Sequence, residues 1–333
     1  MRTVSARPDP IGAGRARRAV PLLAGALALV LTAAGCGGSG SGSGSANGLE
    51  KSTVTVGALP VVDFVALWVA KDKGLFKKQG LTVNIQIQSG GATAMPKLAA
   101  GSLDFSISNY VSAIQATESG TVPLKVLCDA YQLAPDTSGV LVPKDSPIKS
   151  AKDLAGKKIA VNTKANVGQL LVTAGLAQAG VQASGSQFSE VDFPQMVSAL
   201  KTKSVDGAWT VEPFVTQIEE QLGGRLVLDT AKGTTADFPI GSYLTTQKFA
   251  KDNPKTTAAF TKAITAAQKM VAGDEKLVRQ TLPSYSKIDA KTASKIKIAT
   301  FPTSVSQARM QKVADLMTKY GFLKKHFDVK PML

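Results

Sequence analysis

The chain has 333 residues, of which 44% are hydrophobic, and a formal net charge of +15. Its one histidine and two cysteines exclude the His and Cys clusters that bind transition metals. The lysines are scattered without interleaved aromatic residues, which favours a solvated basic surface over a nucleic-acid-binding one.

The first 35 residues have the pattern of a secretory signal peptide. Five arginines precede residues 20–34 (VPLLAGALALVLTAA), an uncharged run shorter than the roughly 20 residues of a membrane span. Small residues then lead into Cys36, and this stretch resembles a bacterial lipobox, in which the cysteine is lipidated. Ala33 stands where a lipobox usually has leucine, so an ordinary signal peptide with an incidental Cys36 is the alternative. The pair Arg17-Arg18 leaves twin-arginine export open beside the general route.

A glycine- and serine-rich tract follows the cysteine at residues 37–48. Such residues bury nothing and stay a flexible coil, which spans roughly 20 Å over twelve residues. Loss of residues 1–35 removes five arginines and one aspartate and lowers the net charge to +11. We therefore predict an exported domain tethered through residues 36–51. With Cys36 lipidated, Cys128 has no disulfide partner and is expected to be buried.

The body begins with alternating strand-like and helix-like segments, which indicate an α/β fold. A polar/apolar alternation predicts strands at residues 53–59 and 81–88. Between them, apolar residues at helical spacing predict one helix over residues 64–79, ended by Gly80. A further helix is expected to end at residue 100, before a short strand at 105–108.

This pattern recurs about 100 residues later. The turn Ser102-Leu103-Asp104 matches Ser204-Val205-Asp206 in a similar context, which suggests two lobes, with both aspartates in structural roles. Between the two turns, residues 150–161 predict a helical turn capped by Ser150 and running into a strand. A long helix is expected from residue 169, and the clearest C-terminal helix at residues 258–273.

Five stretches together carry a resemblance to the periplasmic-type binding proteins of ABC importers for sulfonates, nitrate, taurine and thiamine precursors. They are residues 68–80 (WVAKDKGLFKKQG), 98–104 (LAAGSLD), 140–147 (VLVPKDSP), 150–161 (SAKDLAGKKIAV) and 205–214 (VDGAWTVEPF). With the first strand, they cover the chain to about residue 228.

The resemblance implies a two-lobe periplasmic binding protein fold of type II, in which two crossovers join the lobes and the ligand lies between them. Residues 52–143 and 237–333 would form the first lobe, and residues 144–236 the second. It further implies a monomer that binds a small-molecule solute without a cofactor or nucleic acid. The protein would deliver the solute to an ABC permease, held at the membrane by its lipid anchor.

Ligands of open α/β sheets bind where strands end and helices begin, because helix N-termini offer unpaired N–H groups. The loops at these places are residues 60–64, 89–92, 108–110, 162–168 and 209–214. Asp129 and Tyr131, at the end of a predicted strand, are further candidates. The candidate ligand-binding residues are Asp63, Phe64, Ser89, Gly90, Gly91, Ser108, Asn109, Tyr110, Lys164, Asn166, Trp209 and Glu212.

Several of these residues have a simpler interpretation. Asp63 is equally explained as a helix N-cap, Trp209 as core, Glu212 as a solvated loop residue and Lys164 as surface. The three arginines of the body lie outside every predicted loop, which disfavours an arginine clamp on a carboxylate and with it an amino-acid ligand. Acids and aromatics in the loops favour an amine-bearing sulfonate or heterocycle over nitrate.

Two other functions remain as alternatives. A related family of the same fold synthesises the thiamine pyrimidine with histidine-dependent chemistry, but the single histidine here, His326, lies outside every predicted loop. A serine-histidine-aspartate triad would depend on the same residue. A sensor or adhesion lipoprotein that binds a solute without a permease is the second alternative.

Overall fold

A computed structural model of the protein describes residues 48–333. Its ten strands form two five-stranded mixed sheets, each covered by helices, and they are β1 (Thr53–Ala58), β2 (Thr82–Ile87), β3 (Phe105–Asn109), β4 (Leu124–Gln132), β5 (Ser138–Val142), β6 (Ile159–Val161), β7 (Phe188–Glu190), β8 (Gly207–Val211), β9 (Arg225–Asp229) and β10 (Pro239–Thr246). The helices are α1 (Val65–Asp72), α2 (Leu75–Lys78), α3 (Gly91–Ala99), α4 (Tyr110–Glu118), α5 (Val167–Gln178), α6 (Met196–Lys201), α7 (Phe214–Leu222), α8 (Gln247–Asp252), α9 (Pro254–Gly273), α10 (Glu275–Thr281), α11 (Ala290–Lys295) and α12 (Gln307–Lys319).

The two sheets have the same arrangement of strands. The first has the order β2-β1-β3-β10-β4 and the second β7-β6-β8-β5-β9. In each, the first three strands are parallel, and the fourth, β10 or β5, is antiparallel to both of its neighbours. The chain thus crosses between lobes after β4 and again after β9, which is the predicted two-lobe α/β fold.

Two aspartates hold equivalent places in the two sheets. Asp104 precedes β3, and its carboxylate accepts a hydrogen bond from the backbone N–H of Thr55 at 2.8 Å. Asp206 precedes β8 and accepts one from the backbone N–H of Lys158 at 2.7 Å. Each carboxylate therefore ties the start of one parallel strand to its neighbour, which confirms the structural role predicted from the repeated turn.

The lobe boundaries differ from the prediction in two places. Strand β5 belongs to the second sheet, so the first crossover lies before Ser138 and not after residue 143. Helix α11, from the C-terminal segment, packs on α7 of the second lobe, where Lys295 pairs with Glu220 at 2.5 Å. Part of the C-terminal segment therefore bridges the two lobes.

The predicted helix over residues 64–79 is interrupted. Gly74 has a φ of +65°, a left-handed conformation that glycine adopts without strain, and it separates α1 from α2. The predicted turn at Ser150 is confirmed as a short 3₁₀ helix with a reciprocal cap between Ser150 and Asp153. Cys128 is 2% exposed, as expected for a buried thiol. In residues 48–333, no helix combines the length and apolarity needed to cross a membrane.

Candidate functional site

A cavity lies between the two lobes, at the loops that follow the parallel strands. The first lobe contributes the loop after β1, the start of α3, the end of β3 and the start of β10; the second contributes the loops after β6 and β7, the start of α5 and strand β8. The lining residues are Leu59, Val61, Asp63, Phe64, Gly91, Asn109 and Ile240 from the first lobe, and Asn162, Val167, Phe193, Trp209 and Val211 from the second.

Hydrogen bonds across the cleft hold the lobes together around this cavity. The side-chain nitrogen of Asn166 donates to the Ser112 hydroxyl at 2.8 Å, and the backbone N–H of Val62 donates to the Glu212 carbonyl at 3.2 Å. At Gly90, a Cβ would lie 2.8 Å from the Thr163 hydroxyl oxygen of the other lobe, so a larger residue there would displace this side chain. The cavity has a volume of about 30 Å³, room for one or two waters, so a larger solute enters only after the lobes move apart.

Asp63 is the one acidic side chain in the lining and is 3% exposed. Its Oδ1 has no hydrogen-bond partner among residues 48–333, and helix α1 has no side-chain cap at its start, so the N-cap interpretation is not supported. Burial raises the pKa of Asp63 to about 7; its own backbone N–H opposes the shift and the nearby Glu212 charge adds to it. The carboxyl group therefore changes charge near neutral pH.

Glu212 is fully buried, which contradicts its interpretation as a solvated loop residue. Its two carboxylate oxygens accept hydrogen bonds from the N–H and hydroxyl of Thr216, at 3.1 and 2.9 Å, and from the N–H of Lys297 at 3.0 Å. Burial raises the pKa of Glu212 to about 7, although these hydrogen bonds act to lower it. Glu212 is thus neither solvated nor in the cavity lining; it ties the start of α7 to the C-terminal segment.

Trp209 is both a core residue and part of the lining. It is 1% exposed, and its indole N–H donates to the Thr230 hydroxyl at 3.2 Å. Its ring covers Gly168 so closely that a Cβ there would lie 2.3 Å from a ring carbon. The cavity therefore meets an apolar part of the ring, and the indole N–H is not available to a solute.

Tyr110, a candidate ligand-binding residue, lies outside the cavity lining. Its hydroxyl donates to the buried Asp129, which also pairs with Arg309 of α12 through the guanidinium group. Burial raises the pKa of Asp129, and the bonds from Tyr110 and Arg309 oppose that shift. Tyr131 likewise uses its hydroxyl within the first lobe, where it accepts the backbone N–H of Ala299 at 2.6 Å. These aromatic and acidic groups support the strands behind the cavity.

The remaining candidates stand around the cavity. Ser108 is buried beside Gly91, and Ser89 lines a neighbouring pocket of about 260 Å³ that shares Leu59 and Phe193 with the cavity. Lys164 is exposed, in agreement with the simpler interpretation. Of the predicted residues, those in the lining are Asp63, Phe64, Gly91, Asn109 and Trp209; those outside it are Ser89, Gly90, Ser108, Tyr110, Lys164, Asn166 and Glu212.

The sequence missed most of the apolar lining. Asn162 and Val167 lie in a predicted loop but were not chosen, and Phe193 follows the edge strand β7. Ile240 comes from β10, the antiparallel strand in the middle of the first sheet. The position of Asn162 directly after β6 was the available signal, whereas nothing local in the sequence marks Ile240.

None of the described residues in the lining is lysine or arginine. The three arginines in residues 48–333 are bound elsewhere: Arg225 to the carbonyls of Ser146 and Ile148, Arg279 near α11, and Arg309 to Asp129. The same part of the chain contains no group of three His, Cys, Asp or Glu residues placed to bind a metal ion. The lining can offer one carboxylate, two amides and an apolar, partly aromatic wall.

Comparison with known proteins gives consistent matches. The model of the NMT1-like family matches residues 47–283. The taurine-binding periplasmic protein of Escherichia coli K12 is 28% identical over 212 residues, covering 63% of this chain and 64% of that protein. The nitrate/nitrite binding protein NrtA of Nostoc sp. PCC 7120 is 25% identical over 243 residues, covering 66% and 54%.

The fold also matches a solved structure. The alkanesulfonate-binding protein SsuA from Xanthomonas axonopodis pv. citri, bound to MOPS, superposes with a TM-score of 0.72. The superposition covers 85% of this chain and 98% of the SsuA chain at 18% sequence identity, which shows a shared fold.

Proposed function

The chain belongs to the NMT1-like family, and on that premise we propose that it is the solute-binding protein of an ABC importer. Its solute belongs to the class of sulfonates, taurine, nitrate and thiamine precursors, in line with the sequence resemblance and with what the taurine- and nitrate-binding relatives bind. It captures the solute outside the cytoplasm and delivers it to a permease.

The cavity between the two lobes is the observation that best supports this function. Two crossovers join the lobes, and a hydrogen bond between the starts of α4 and α5 spans the cleft. A solute that contacts both lobes stabilises the closed form relative to an open one, which is how binding becomes a signal that a partner protein can detect.

The lining supports binding in preference to catalysis. Asp63 is its one acidic side chain, and its other polar side chains are the amides of Asn109 and Asn162. His326 lies far along the chain, with a side chain that is 70% exposed and 3.7 Å from Asp315. The histidine-dependent chemistry of the thiamine pyrimidine synthases therefore has no counterpart in the lining.

We propose that the protein is lipid-anchored through Cys36 on the outer face of the cell membrane. This proposal rests on the sequence alone, because the signal peptide, Cys36 and most of the tether lie outside the described residues. A flexible tether lets a two-lobe domain reorient against a permease while a diacylated cysteine keeps it at the membrane.

A thermal-shift screen of the full mature chain in detergent tests the binding function. The panel contains taurine, ethanesulfonate, nitrate and an aminopyrimidine. A solute present at a hundred times its Kd adds about 2.7 kcal/mol to the free energy of unfolding, which raises the unfolding midpoint by a few degrees. If no compound shifts the midpoint, the proposed solute class is wrong. If the compound that binds is still taken up at the normal rate by cells lacking the gene, the transport function is wrong.

A further inference from the structure

The hydrogen-bonding groups of the cavity are unbalanced. Its polar side chains are Asp63, Asn109 and Asn162. The carbonyl oxygen of Asn109 already accepts the backbone N–H of Ser112 at 2.9 Å, as the cap of α4. Oδ1 of Asp63 and Oδ1 of Asn162, in contrast, are buried and have no hydrogen-bond partner among residues 48–333. The lining thus presents two unpaired acceptors.

Buried acceptors of this kind are costly unless a donor reaches them, and an unpaired buried carboxylate is the costliest. The lining offers no lysine or arginine to supply that donor, and each arginine in the described part of the chain is bound elsewhere. A charged donor for Asp63 must therefore come from the solute.

We propose that the solute carries a positively charged head with several N–H donors, a protonated amine or an amidine, and that the carboxylate of Asp63 pairs with it. The side-chain oxygen of Asn162 accepts a second N–H of the same head, and the apolar wall formed by Phe64, Phe193 and Trp209 surrounds it. This inference rests on the proposed function and names the head group of its solute.

The charges around Asp63 decide between this solute and an anion. The groups that act on it are the buried Glu212, at the end of β8, and the phenols of Tyr131, Tyr243 and Tyr285. Burial raises the pKa of each of these phenols, so they stay neutral. No cation in this set compensates an ionised Asp63, so an anion can bind beside it only when Asp63 is protonated. A cation binds when Asp63 is ionised.

A matched pair of probes separates the two cases in the wild-type protein. Taurine and ethanesulfonate share a sulfonate on a two-carbon chain, and only taurine has an ammonium group; propylamine and benzamidine offer the head without the sulfonate. By calorimetry, we expect taurine to bind at least about tenfold more tightly than ethanesulfonate. Since the pKa of Asp63 is about 7, taurine affinity should rise about 20-fold from pH 5.5 to 7.5, with release of a proton.

The variant Asp63→Asn keeps the shape of the side chain and removes its charge. We expect it to lose at least about tenfold in affinity for taurine and to bind ethanesulfonate no more weakly than the wild type. Glu212→Gln is the matched control, because it changes the other buried carboxylate without changing the lining, and it should keep the preference for taurine. The wild-type probe pair does not depend on the folding of either variant.

Two results would overturn the inference. In the first, ethanesulfonate or nitrate binds as tightly as taurine, and its affinity falls above pH 7. This would show that protonated Asp63 donates a hydrogen bond to an anion. The proposed function would then stand. Failure of taurine, propylamine and benzamidine to bind would also overturn it. In that case, binding of ethanesulfonate or nitrate would decide whether the proposed function survives.

Discussion

Asn166 of the second lobe and Ser112 of the first meet across the cleft, with the Asn166 side-chain nitrogen 2.8 Å from the Ser112 hydroxyl oxygen. Both side chains are buried, and Asn166 also caps α5 through its other side-chain atom. The contact therefore belongs to the closed form and joins the first turns of two helices that border the cavity.

Removal of this contact should weaken solute binding. We expect Ser112→Ala to reduce affinity about three- to tenfold, because a net hydrogen bond of about 1 kcal/mol is lost only when the lobes close. Calorimetry measures the affinity. Thr117→Val, on the same helix but bonded to Ala113 within it, should leave the affinity unchanged. An equal loss in both variants would indicate damage to α4 and not to closure.

Glu212→Gln should lower stability. The carboxylate accepts from two backbone N–H groups and one hydroxyl, and a glutamine amide nitrogen cannot accept from an N–H. We expect the free energy of unfolding to fall by about 1–3 kcal/mol, measured by chemical denaturation at pH 5, below the raised pKa of Glu212, where removal of its charge does not offset the loss. Glu219→Gln, at the partner of Lys297 whose side chain is 33% exposed, should cost much less. Unchanged stability in Glu212→Gln would show that the carboxylate is not held as the structure describes.

Asp63 should make stability depend on pH. Because its pKa rises from 3.8 to about 7 on folding, the folded protein binds a proton that the unfolded chain releases between these values. The free energy of unfolding therefore falls as pH rises through this window, and Glu212 acts in the same direction with a pKa raised to about 7.

The variant Asp63→Asn should remove the larger part of the loss of stability at high pH. We expect it to unfold like the wild type at pH 4.5 and to gain about 3 kcal/mol at pH 8, measured by denaturation at both pH values. Asp104→Asn is a control in which the opposite change is expected. The Asp104 carboxylate accepts hydrogen bonds from Thr55 and Lys51, so this variant should be less stable than the wild type at pH 8. An equal effect of Asp63→Asn at both pH values would contradict a buried, unpaired carboxylate.

The elements that local periodicity specifies were predictable from the sequence. The alternation in β1 and β2 and the repeated turns at Asp104 and Asp206 were sufficient to suggest two α/β lobes, while the cleft between them was implied by the family resemblance. The predicted first crossover lies too far along the chain because nothing in the apolar sequence of β5 indicates which sheet it joins. That choice depends on antiparallel pairing with β8 and β9, which are distant in sequence.

The same limit explains the errors in the site. In the sequence, Glu212 has the pattern of a loop residue before a proline. Its carboxylate is buried with hydrogen-bond partners because it accepts the backbone N–H of Lys297, 85 residues later. Tyr110 follows β3 directly, yet its hydroxyl turns to Asp129 on β4. Loop position therefore identified where the cavity lies, while the contacts that decide which side chains line it come from distant segments.

The membrane anchor should depend on one thiol. We expect Cys36→Ala to move the protein from the membrane to the soluble fraction without a change in solute affinity, because the Gly/Ser tract separates the cysteine from the domain. Fractionation and calorimetry measure the two properties. Cys128→Ala, at the buried thiol of β4, should stay in the membrane fraction. Equal membrane retention of Cys36→Ala would contradict lipidation at this residue.

The two tryptophans offer a direct report of solute binding. Trp209 lines the cavity, while Trp68 on α1 stacks on Tyr285 with ring centroids 4.6 Å apart and is not part of the lining. A solute that enters the cavity changes the surroundings of Trp209 alone. We therefore expect the solute-induced change in fluorescence to persist in Trp68→Phe and to vanish in Trp209→Phe. The latter should also lose about 1 kcal/mol of stability with the bond to Thr230. A signal that instead disappears in Trp68→Phe would place the binding site beside α1 and Tyr285, outside the cavity.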